Sequence, residues 1–335
     1  MSIRTVGVVG TGVIGASWAG LFLAHGLRVL VSDPAPNADK GLKDAIHTLL
    51  PILEVIRPHS NIDLSKLEFV GSSLGDRLGE VDFIQEVCHT HYLLLDPHDM
   101  PAYDRRLQNA PERVDLKIKL IAELDAGARP EVVIASSSSG IPSSHFISNC
   151  AKNPGRVLIG HPFNPPHLMP LVEVVPHPGT DSKSVDTAVR FYRSIGKTPV
   201  VIKKEVPGFA ANRLQAVLCN EVYSLVSNGV MSAKDVDTCV TSSLGPRWAV
   251  TGPLMSNAMG GGGGSDGFRH LLEHLGPASQ QWLEHIKANS FQWDTESLDK
   301  LTDSVGEELQ GANVKELEKE RDRLLVEILK LKGSL

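Results

Sequence analysis

The sequence predicts an α/β fold, in which a doubly wound parallel sheet is followed by a mainly α-helical domain. Apolar, β-branched runs alternate with amphipathic helical segments up to about residue 202, and the pattern is mostly helical from Pro207 onward. The length of 335 residues suits about two domains, and 41% hydrophobic with 21% charged residues is ordinary globular composition. We therefore predict domains at 1–205 and 206–335.

The first forty residues follow the order of a nucleotide-binding βαβ unit. Ile3–Gly10 is a short apolar run, typical of a strand that is buried on both faces of a sheet. A glycine-rich turn follows and leads into Ala16–Ala24, which has small and apolar residues at helical spacing. A second apolar run, Arg28–Ser32, ends at Asp33. This order predicts the first unit of a Rossmann-type domain.

The glycines of this turn suit a dinucleotide. Gly12 lets the backbone approach a pyrophosphate, and Gly15 lets the helix pack closely against the strand. Asp33 lies 18 residues beyond Gly15, where a carboxylate accepts hydrogen bonds from ribose hydroxyls and repels a 2′-phosphate. NAD is therefore favoured over NADP, with a flavin as the minor alternative. The predicted cofactor-binding residues of this unit are Gly10, Gly12, Val13, Ile14, Gly15 and Asp33.

The remaining segments continue the alternation. Further strands are predicted at Leu67–Val70, Asp82–Gln85, Glu131–Ala135, Arg156–Gly160, Leu171–Val175 and Thr198–Ile202. Helices are predicted at Asn37–Ile56, Arg113–Leu124, Val185–Ile195, Phe209–Val226 and Val314–Leu331. Leucines recur every seven residues in the last helix, but three heptads are short for a coiled coil, so we expect it to pack on its own domain. Gly260–Gly264 is expected to be a flexible connection, with a lid as the alternative.

Composition excludes several classes of function. The net charge of −6 argues against a polyanionic partner such as a nucleic acid, and no apolar run approaches the ~20 residues that span a bilayer. The predicted strand at Ile3 leaves no room for a targeting peptide before it. Four cysteines without paired spacing indicate reduced thiols, so we expect a cytoplasmic protein with no metal site.

Three later motifs carry a resemblance to a known family. They are Gly160–Pro178 (GHPFNPPHLMPLVEVVPHP), which places His161 and Glu173 twelve residues apart, the serine run Ser136–Ser139, and residues 207–214 (PGFAANRL). With the opening glycine-rich turn, these motifs resemble the 3-hydroxyacyl-CoA dehydrogenase family in order and spacing. Within that family the chain looks most like the branch that contains lambda-crystallin and L-gulonate 3-dehydrogenase.

The resemblance implies an NAD-dependent dehydrogenase that oxidises a secondary alcohol. His161 is the implied general base, since an imidazole suits proton transfer near neutral pH. Glu173 would orient this ring, and Ser139 and Asn212 would hydrogen-bond the reacting oxygen. The family match adds Glu86 and Arg113 as cofactor contacts. It also implies a homodimer formed through the helical half.

The sequence indicates the substrate less clearly than it indicates the cofactor and the reaction. The segment after the second strand offers only Lys40, Lys43, Arg57 and Lys66, with no evident cluster for the phosphates of CoA. Arg247 could pair with a small carboxylate, or it is a structural arginine. A free hydroxy acid such as L-gulonate is therefore favoured. A short 3-hydroxyacyl-CoA, L-carnitine and a catalytically inactive, crystallin-like role stay open.

One segment departs from the family pattern. Val87–Gln108 is a 22-residue insertion between Gln85-Glu86 and the Asn109-Ala110-Pro111 helix start. It corresponds to 66 in-frame nucleotides, and its edges suit the GT and AG ends of an intron, so we hypothesise a retained intron. Its potential metal ligands lack a standard spacing, and we expect no metal there: Cys88, His89, His91, Asp96, His98 and Asp99.

Overall fold

The structure, a computed structural model, describes residues 3–57, 62–87, 114–262 and 266–334. The chain divides into two compact units. The first consists of Met1–Asn212 and Leu324–Leu335, and the second of Arg213–Arg323. Residues 206–212 and the chain end therefore belong to the first unit, whereas the sequence-based division assigns them to the helical domain. The segment 88–108 and Arg113 lie outside the described residues.

The first unit is built on one eight-stranded sheet with the strand order β3-β2-β1-β4-β5-β6-β7-β8. Each predicted strand is present, and its ends differ from the prediction by at most two residues. The strands are β1 (Thr5–Val9), β2 (Arg28–Ser32), β3 (Leu67–Phe69), β4 (Phe83–Glu86), β5 (Val133–Ser136), β6 (Val157–Pro162), β7 (Leu171–Pro176) and β8 (Thr198–Val201).

The sheet is parallel from β3 to β6 but not throughout. β7 runs antiparallel to β6, and β8 runs parallel to β7. The link from Pro162 to Leu171 contains only eight residues, and a crossover between parallel strands needs about a dozen or more. The two strands must therefore pair as a hairpin. The sequence-based prediction of a wholly parallel sheet is therefore wrong for the pair β6 and β7.

Helices cover both faces of the sheet, as the doubly wound prediction requires. The helices are α1 (Val13–Ala24), α2 (Ala38–Ile56), α3 (Val114–Gly127) and α4 (Ser182–Ser194). Trp18 of α1 and Tyr192 of α4 are fully buried with Val6 and Val8 on one face. Ile121 of α3 packs on the other face. The predicted α/β fold is confirmed.

The second unit is helical. Its elements are α5 (Ala211–Ser227) from Arg213 onward, α6 (Ala233–Cys239), a π-helical turn (Val240–Leu244), α7 (Gly245–Gly260), α8 (Gly267–Ala288), α9 (Thr295–Glu308) and the first part of α10 (Val314–Leu331). Tyr223, Phe291 and Trp293 form one aromatic cluster with ring centroids 5.1–6.3 Å apart. Gly260 ends α7, and Gly263 and Gly264 lie outside the described residues.

The last helix packs against the protein through residues other than its heptad leucines. Leu317, Leu324 and Leu331 are 50%, 47% and 88% exposed. Val326 and Leu329 are buried instead, and Val326 packs with Ile56 and Leu168 of the first unit. The seven-residue repeat therefore does not mark the packed face of this helix. The prediction that the helix packs on its own domain, 206–335, is wrong for its last part, which packs with the first unit.

Two negative findings concern the described part of the chain. None of its helices is both long and apolar enough for a membrane crossing. None of its His, Cys, Asp and Glu side chains form a group of three or more that could hold a metal ion.

Candidate active site

The glycine-rich turn joins β1 to α1 with very little space between them. Gly10 N donates to Ser32 O at 2.8 Å, and α1 begins at Val13 after Gly12. A Cβ added to Gly15 would lie 2.0 Å from Gly10 O, so only glycine allows this approach. A Cβ added to Gly12 would meet nothing within 4 Å. The backbone is therefore tightly packed at Gly15 and open at Gly12.

Asp33 holds the same turn from the end of β2. Its Oδ2 accepts hydrogen bonds from Thr11 N at 2.7 Å and Thr11 Oγ1 at 2.8 Å, and its Oδ1 accepts from Ala35 N at 2.8 Å. Val13 and Ile14 occupy the first turn of α1, whose N–H groups lack acceptors within the helix. An open approach, a helix N-terminus and an adjacent carboxylate fit a dinucleotide.

His161 and Glu173 lie opposite each other on β6 and β7. They are cross-strand partners in the antiparallel register, and His161 Nδ1 lies 2.9 Å from Glu173 Oε2. Both side chains are buried, at 4% and 1% exposure. Their twelve-residue separation in sequence is thus the length of a hairpin that brings them face to face.

The second oxygen of Glu173 binds the start of α5. Oε1 accepts hydrogen bonds from Ala210 N at 2.9 Å and Ala211 N at 3.0 Å. Burial acts to raise the pKa of Glu173, but the hydrogen bonds from His161, Ala211 and Ala210 outweigh it and hold the pKa below its usual range. The carboxylate therefore stays ionised and can only accept hydrogen bonds.

This arrangement fixes the tautomer of His161. Because Glu173 can only accept, Nδ1 carries a proton, so in the neutral ring Nε2 is the nitrogen with the lone pair. The imidazole packs against Phe163 and Phe209, whose ring centroids lie 5.1 and 5.6 Å away. A buried imidazole with an orienting carboxylate is suited to general-base catalysis through Nε2.

Ser139 and Asn212 are brought together by a backbone contact. Asn212 Nδ2 donates to Ser139 O at 2.5 Å. Ser136, Ser137 and Ser138 are buried, whereas Ser139 is exposed, and its hydroxyl makes no hydrogen bond within the described ranges. Asn212 follows Ala210 and Ala211, so the start of α5 connects this pair to Glu173. The roles of Ser139 and Asn212 toward a substrate stay predictions.

Glu86 is engaged within the protein rather than exposed to a ligand. Its carboxylate accepts hydrogen bonds from Lys117 Nζ at 2.9 and 3.2 Å and from Ser136 Oγ at 2.6 Å. Lys117 is 1% exposed, and it was not singled out from the sequence because a lysine in an amphipathic helix normally faces solvent. A contact between Glu86 and the cofactor stays a prediction.

Arg247 belongs to the second unit. It lies on α7, is exposed, and its Nε donates to Ser243 O at 3.4 Å. Its proposed pairing with a substrate carboxylate stays a prediction.

Comparison with known families decides the assignment. Residues 5–206 match the family model described as 3-hydroxyacyl-CoA dehydrogenase, NAD binding domain. Residues 208–292 match the model for the C-terminal domain of the same enzymes. The chain belongs to the 3-hydroxyacyl-CoA dehydrogenase family. NAD is therefore its cofactor, and the protein is an NAD-dependent oxidoreductase, as the sequence predicted.

Members of this family resemble the chain over nearly its whole length. A 3-hydroxyacyl-CoA dehydrogenase from Gibberella moniliformis is 49% identical, with 99% of this chain and 96% of that protein covered. An L-carnitine dehydrogenase from Streptomyces griseus is 38% identical, with 99% and 91% covered. The solved structure of 5-formyl-3-hydroxy-2-methylpyridine 4-carboxylic acid 5-dehydrogenase, an NAD+-dependent dismutase, has a TM-score of 0.71 at 26% identity, with 98% of each chain covered.

Two glycine variants separate cofactor binding from folding. We expect Gly12→Ala to weaken NAD binding by about 10-fold or more, because its methyl group occupies the open approach. Its free energy of unfolding should change by less than about 0.5 kcal/mol. Gly15→Ala should weaken binding and also destabilise the fold by about 1–3 kcal/mol, since its Cβ meets Gly10 O.

Calorimetric titration with NAD and denaturant unfolding check both variants. Equal destabilisation by Gly12→Ala and Gly15→Ala would contradict this account of the turn.

Proposed function

We propose that the chain oxidises the 3-hydroxyl group of a small, free L-3-hydroxy acid to the 3-keto acid, with an L-gulonate-like acid or L-carnitine as substrate. The buried His161–Glu173 pair carries the proposal. His161 Nε2 accepts the hydroxyl proton as the C3–H bond breaks and the carbonyl forms, and Glu173 stabilises the resulting imidazolium. Bound NAD+ supplies the hydride acceptor.

Ser139 and Asn212 are proposed to hold the reacting oxygen. The Ser139 hydroxyl is exposed, and Asn212 is fixed through its bond to Ser139 O. A hydroxyl and an amide can donate hydrogen bonds to the oxygen as it becomes a carbonyl, and they orient the alcohol toward His161.

The basic residues of 38–66 support a free acid over an acyl-CoA. Lys43 Nζ is paired with Asp39 at 2.8 Å, and Lys66 Nζ donates to Gly26 O at 3.0 Å. Lys43 and Lys66 are thus already engaged within the protein, which leaves little to bind the phosphates of CoA. The free-acid names of the L-carnitine dehydrogenase relatives agree with this preference.

A short-chain 3-hydroxyacyl-CoA is the second candidate. The relative from Gibberella moniliformis, at 49% identity, is named a 3-hydroxyacyl-CoA dehydrogenase. The same His161–Glu173 chemistry applies to both substrates, because both carry a secondary hydroxyl at C3.

A substrate panel tests the proposal. NADH formation is followed with L-gulonate, L-carnitine and 3-hydroxybutyryl-CoA, and with D-carnitine as the stereochemical control. We expect kcat/KM to be highest for one of the two L-acids. A higher value for 3-hydroxybutyryl-CoA would favour the second candidate. The absence of turnover with every substrate would favour the inactive, crystallin-like alternative.

The insertion can be tested in the same assay. We expect deletion of Val87–Gln108 to preserve or raise turnover, as the retained-intron hypothesis predicts. Val87 N donates to Val9 O at 2.9 Å, and Asn109 can take over this contact because it is made by the backbone. Loss of a measurable turnover on deletion would contradict the hypothesis, as would cDNA that retains these codons in every message.

We also propose that the protein is a homodimer. Large apolar side chains of the second unit are more than half exposed, which is typical of an interface with a partner: Leu214, Val217, Val250, Leu254, Met259 and Trp282. Sedimentation equilibrium should give twice the mass of one chain, and a mass of one chain would contradict the proposal.

A further inference from the structure

The strand that carries His161 extends beyond its neighbour in the sheet. β5 pairs with β6 only as far as the partners Ser136 and Ile159. Gly160, His161 and Pro162 continue past this point, paired with β7 on one side. On the other side β5 ends at Ser136, so the Gly160 carbonyl lies beyond the last pair with β5. A strand end that is paired on one side alone is less well fixed than one within a full ladder.

The side chain of Gln85 binds the Gly160 carbonyl at this point. Its Nε2 donates to Gly160 O at 3.2 Å and to Ser137 Oγ at 2.8 Å. Its Oε1 accepts from Tyr192 Oη at 2.7 Å. Gln85 and Tyr192 are 0% exposed. One amide therefore joins the strand of His161, the start of the serine run, and α4.

Tyr192 sets the orientation of that amide. Burial raises the pKa of Tyr192 well above its usual range, so the phenol keeps its proton and donates to Oε1. The nitrogen of Gln85 must then face Gly160 and Ser137. The phenol also fits against the strand backbone, because a Cβ added to Gly160 would lie 2.0 Å from Tyr192 Oη.

We infer that Gln85 and Tyr192 are positioning residues for His161, because the Gln85 amide, oriented by Tyr192, binds the Gly160 carbonyl where β5 has ended. Gly160 precedes His161, so fixing its carbonyl fixes the backbone from which the imidazole projects. The hydrogen bond from Gln85 Nε2 to Ser137 Oγ fixes the start of the serine run, which ends at Ser139, relative to the same strand. This inference rests on the proposed role of His161 as general base.

The full-length enzyme with NAD+ and its best substrate provides the test. Tyr192→Phe removes one buried oxygen and Gln85→Met removes the amide, while both keep a similar side-chain volume. We expect each to lower kcat about 10-fold with the KM for NAD+ unchanged, since small misplacements of a catalytic group have large effects on rate. The double variant should lose no more than the single variants, because both act through one contact.

Phe191→Leu is the matched control. Phe191 lies beside Tyr192 on the same helix and packs against Phe22 and Phe83, with ring centroids 5.6 and 4.3 Å away. It should lower the unfolding temperature and leave kcat unchanged. An equal fall in kcat in this control would show a merely structural effect and overturn the inference.

Gln85→Glu separates the donor from the acceptor. An ionised carboxylate can accept from Tyr192 but cannot donate to Gly160 O, so at a pH above the pKa of the introduced carboxyl group kcat should fall as in Gln85→Met. A kcat within twofold of wild type in Tyr192→Phe, Gln85→Met and Gln85→Glu overturns the inference. If the inference is overturned in this way, the His161→Ala variant decides whether the proposed function also fails. Loss of activity in His161→Ala would still support the proposed function, whereas an active His161→Ala variant would contradict it too.

Discussion

Replacing His161 with alanine is expected to lower kcat by about 10²–10⁴-fold while NAD binding is retained. The range is that of a lost general base. Nδ1 donates to Glu173 Oε2, so in the neutral ring Nε2 is the nitrogen available to accept the hydroxyl proton. The glycine-rich turn joins β1 to α1, and its contacts among the described residues do not involve His161. Steady-state rates and calorimetric titration with NAD measure the two effects separately.

His177→Ala is the control for this variant. His177 is also buried, at 6% exposure, but it follows β7 at the opposite end from the partners Pro162 and Val172. Its Nε2 contacts Pro154 O at 3.1 Å, which is a structural role. We expect a loss of stability with kcat preserved. A His161→Ala enzyme that turns over normally would refute the assigned base.

The cofactor half of the site could be predicted because its signals are local. The glycine spacing and Asp33 follow one another within one βαβ unit, and backbone sterics dictate Gly15. The pairing of His161 with Glu173 came from family resemblance. The eight-residue link between their strands was too short for a crossover, so the sequence also contained the reason for the antiparallel pairing.

The buried hydrogen bonds and ion pairs around the site could not be predicted, because the partners in each are distant in sequence. Gln85 binds Tyr192 across 107 residues and Gly160 across 75. In sequence, Gln85 is a polar residue at the end of an apolar run. Lys117 could not be predicted for the same reason. The periodicity of its helix gives no sign that this lysine is paired with Glu86 in the interior. Burial of a polar side chain becomes visible only when its partners are placed.

Replacing Glu173 with glutamine is expected to lower kcat by about 10²–10⁴-fold, although the side-chain volume hardly changes. Two backbone N–H groups, from Ala210 and Ala211, donate to Oε1 and require an oxygen there. The amide of the variant must therefore turn its NH2 toward His161 Nδ1. That nitrogen then has to accept, so the neutral ring carries its proton on Nε2 and cannot accept one from the substrate.

The same substitution has a pH-dependent effect on stability. The pKa of Glu173 is lower in the folded chain than its usual value, so ionised Glu173 stabilises the fold above that usual pKa. The contribution is lost as the pH falls through the lowered pKa. Since glutamine does not titrate, the difference in unfolding free energy between wild type and Glu173→Gln should shrink on acidification. Urea unfolding at a series of acidic pH values measures it.

Asp125→Asn distinguishes the tautomer argument from a general loss of buried charge. Asp125 is as buried as Glu173, at 1% exposure, and it pairs with Arg156 at 2.9 Å while accepting from Lys152 N and Asn153 N. Its pKa is also lowered, because these hydrogen bonds outweigh the effect of burial. We expect Asp125→Asn to lose stability and keep kcat, because no imidazole depends on it. If both variants lost kcat equally, stability rather than the proton position on His161 would govern the rate.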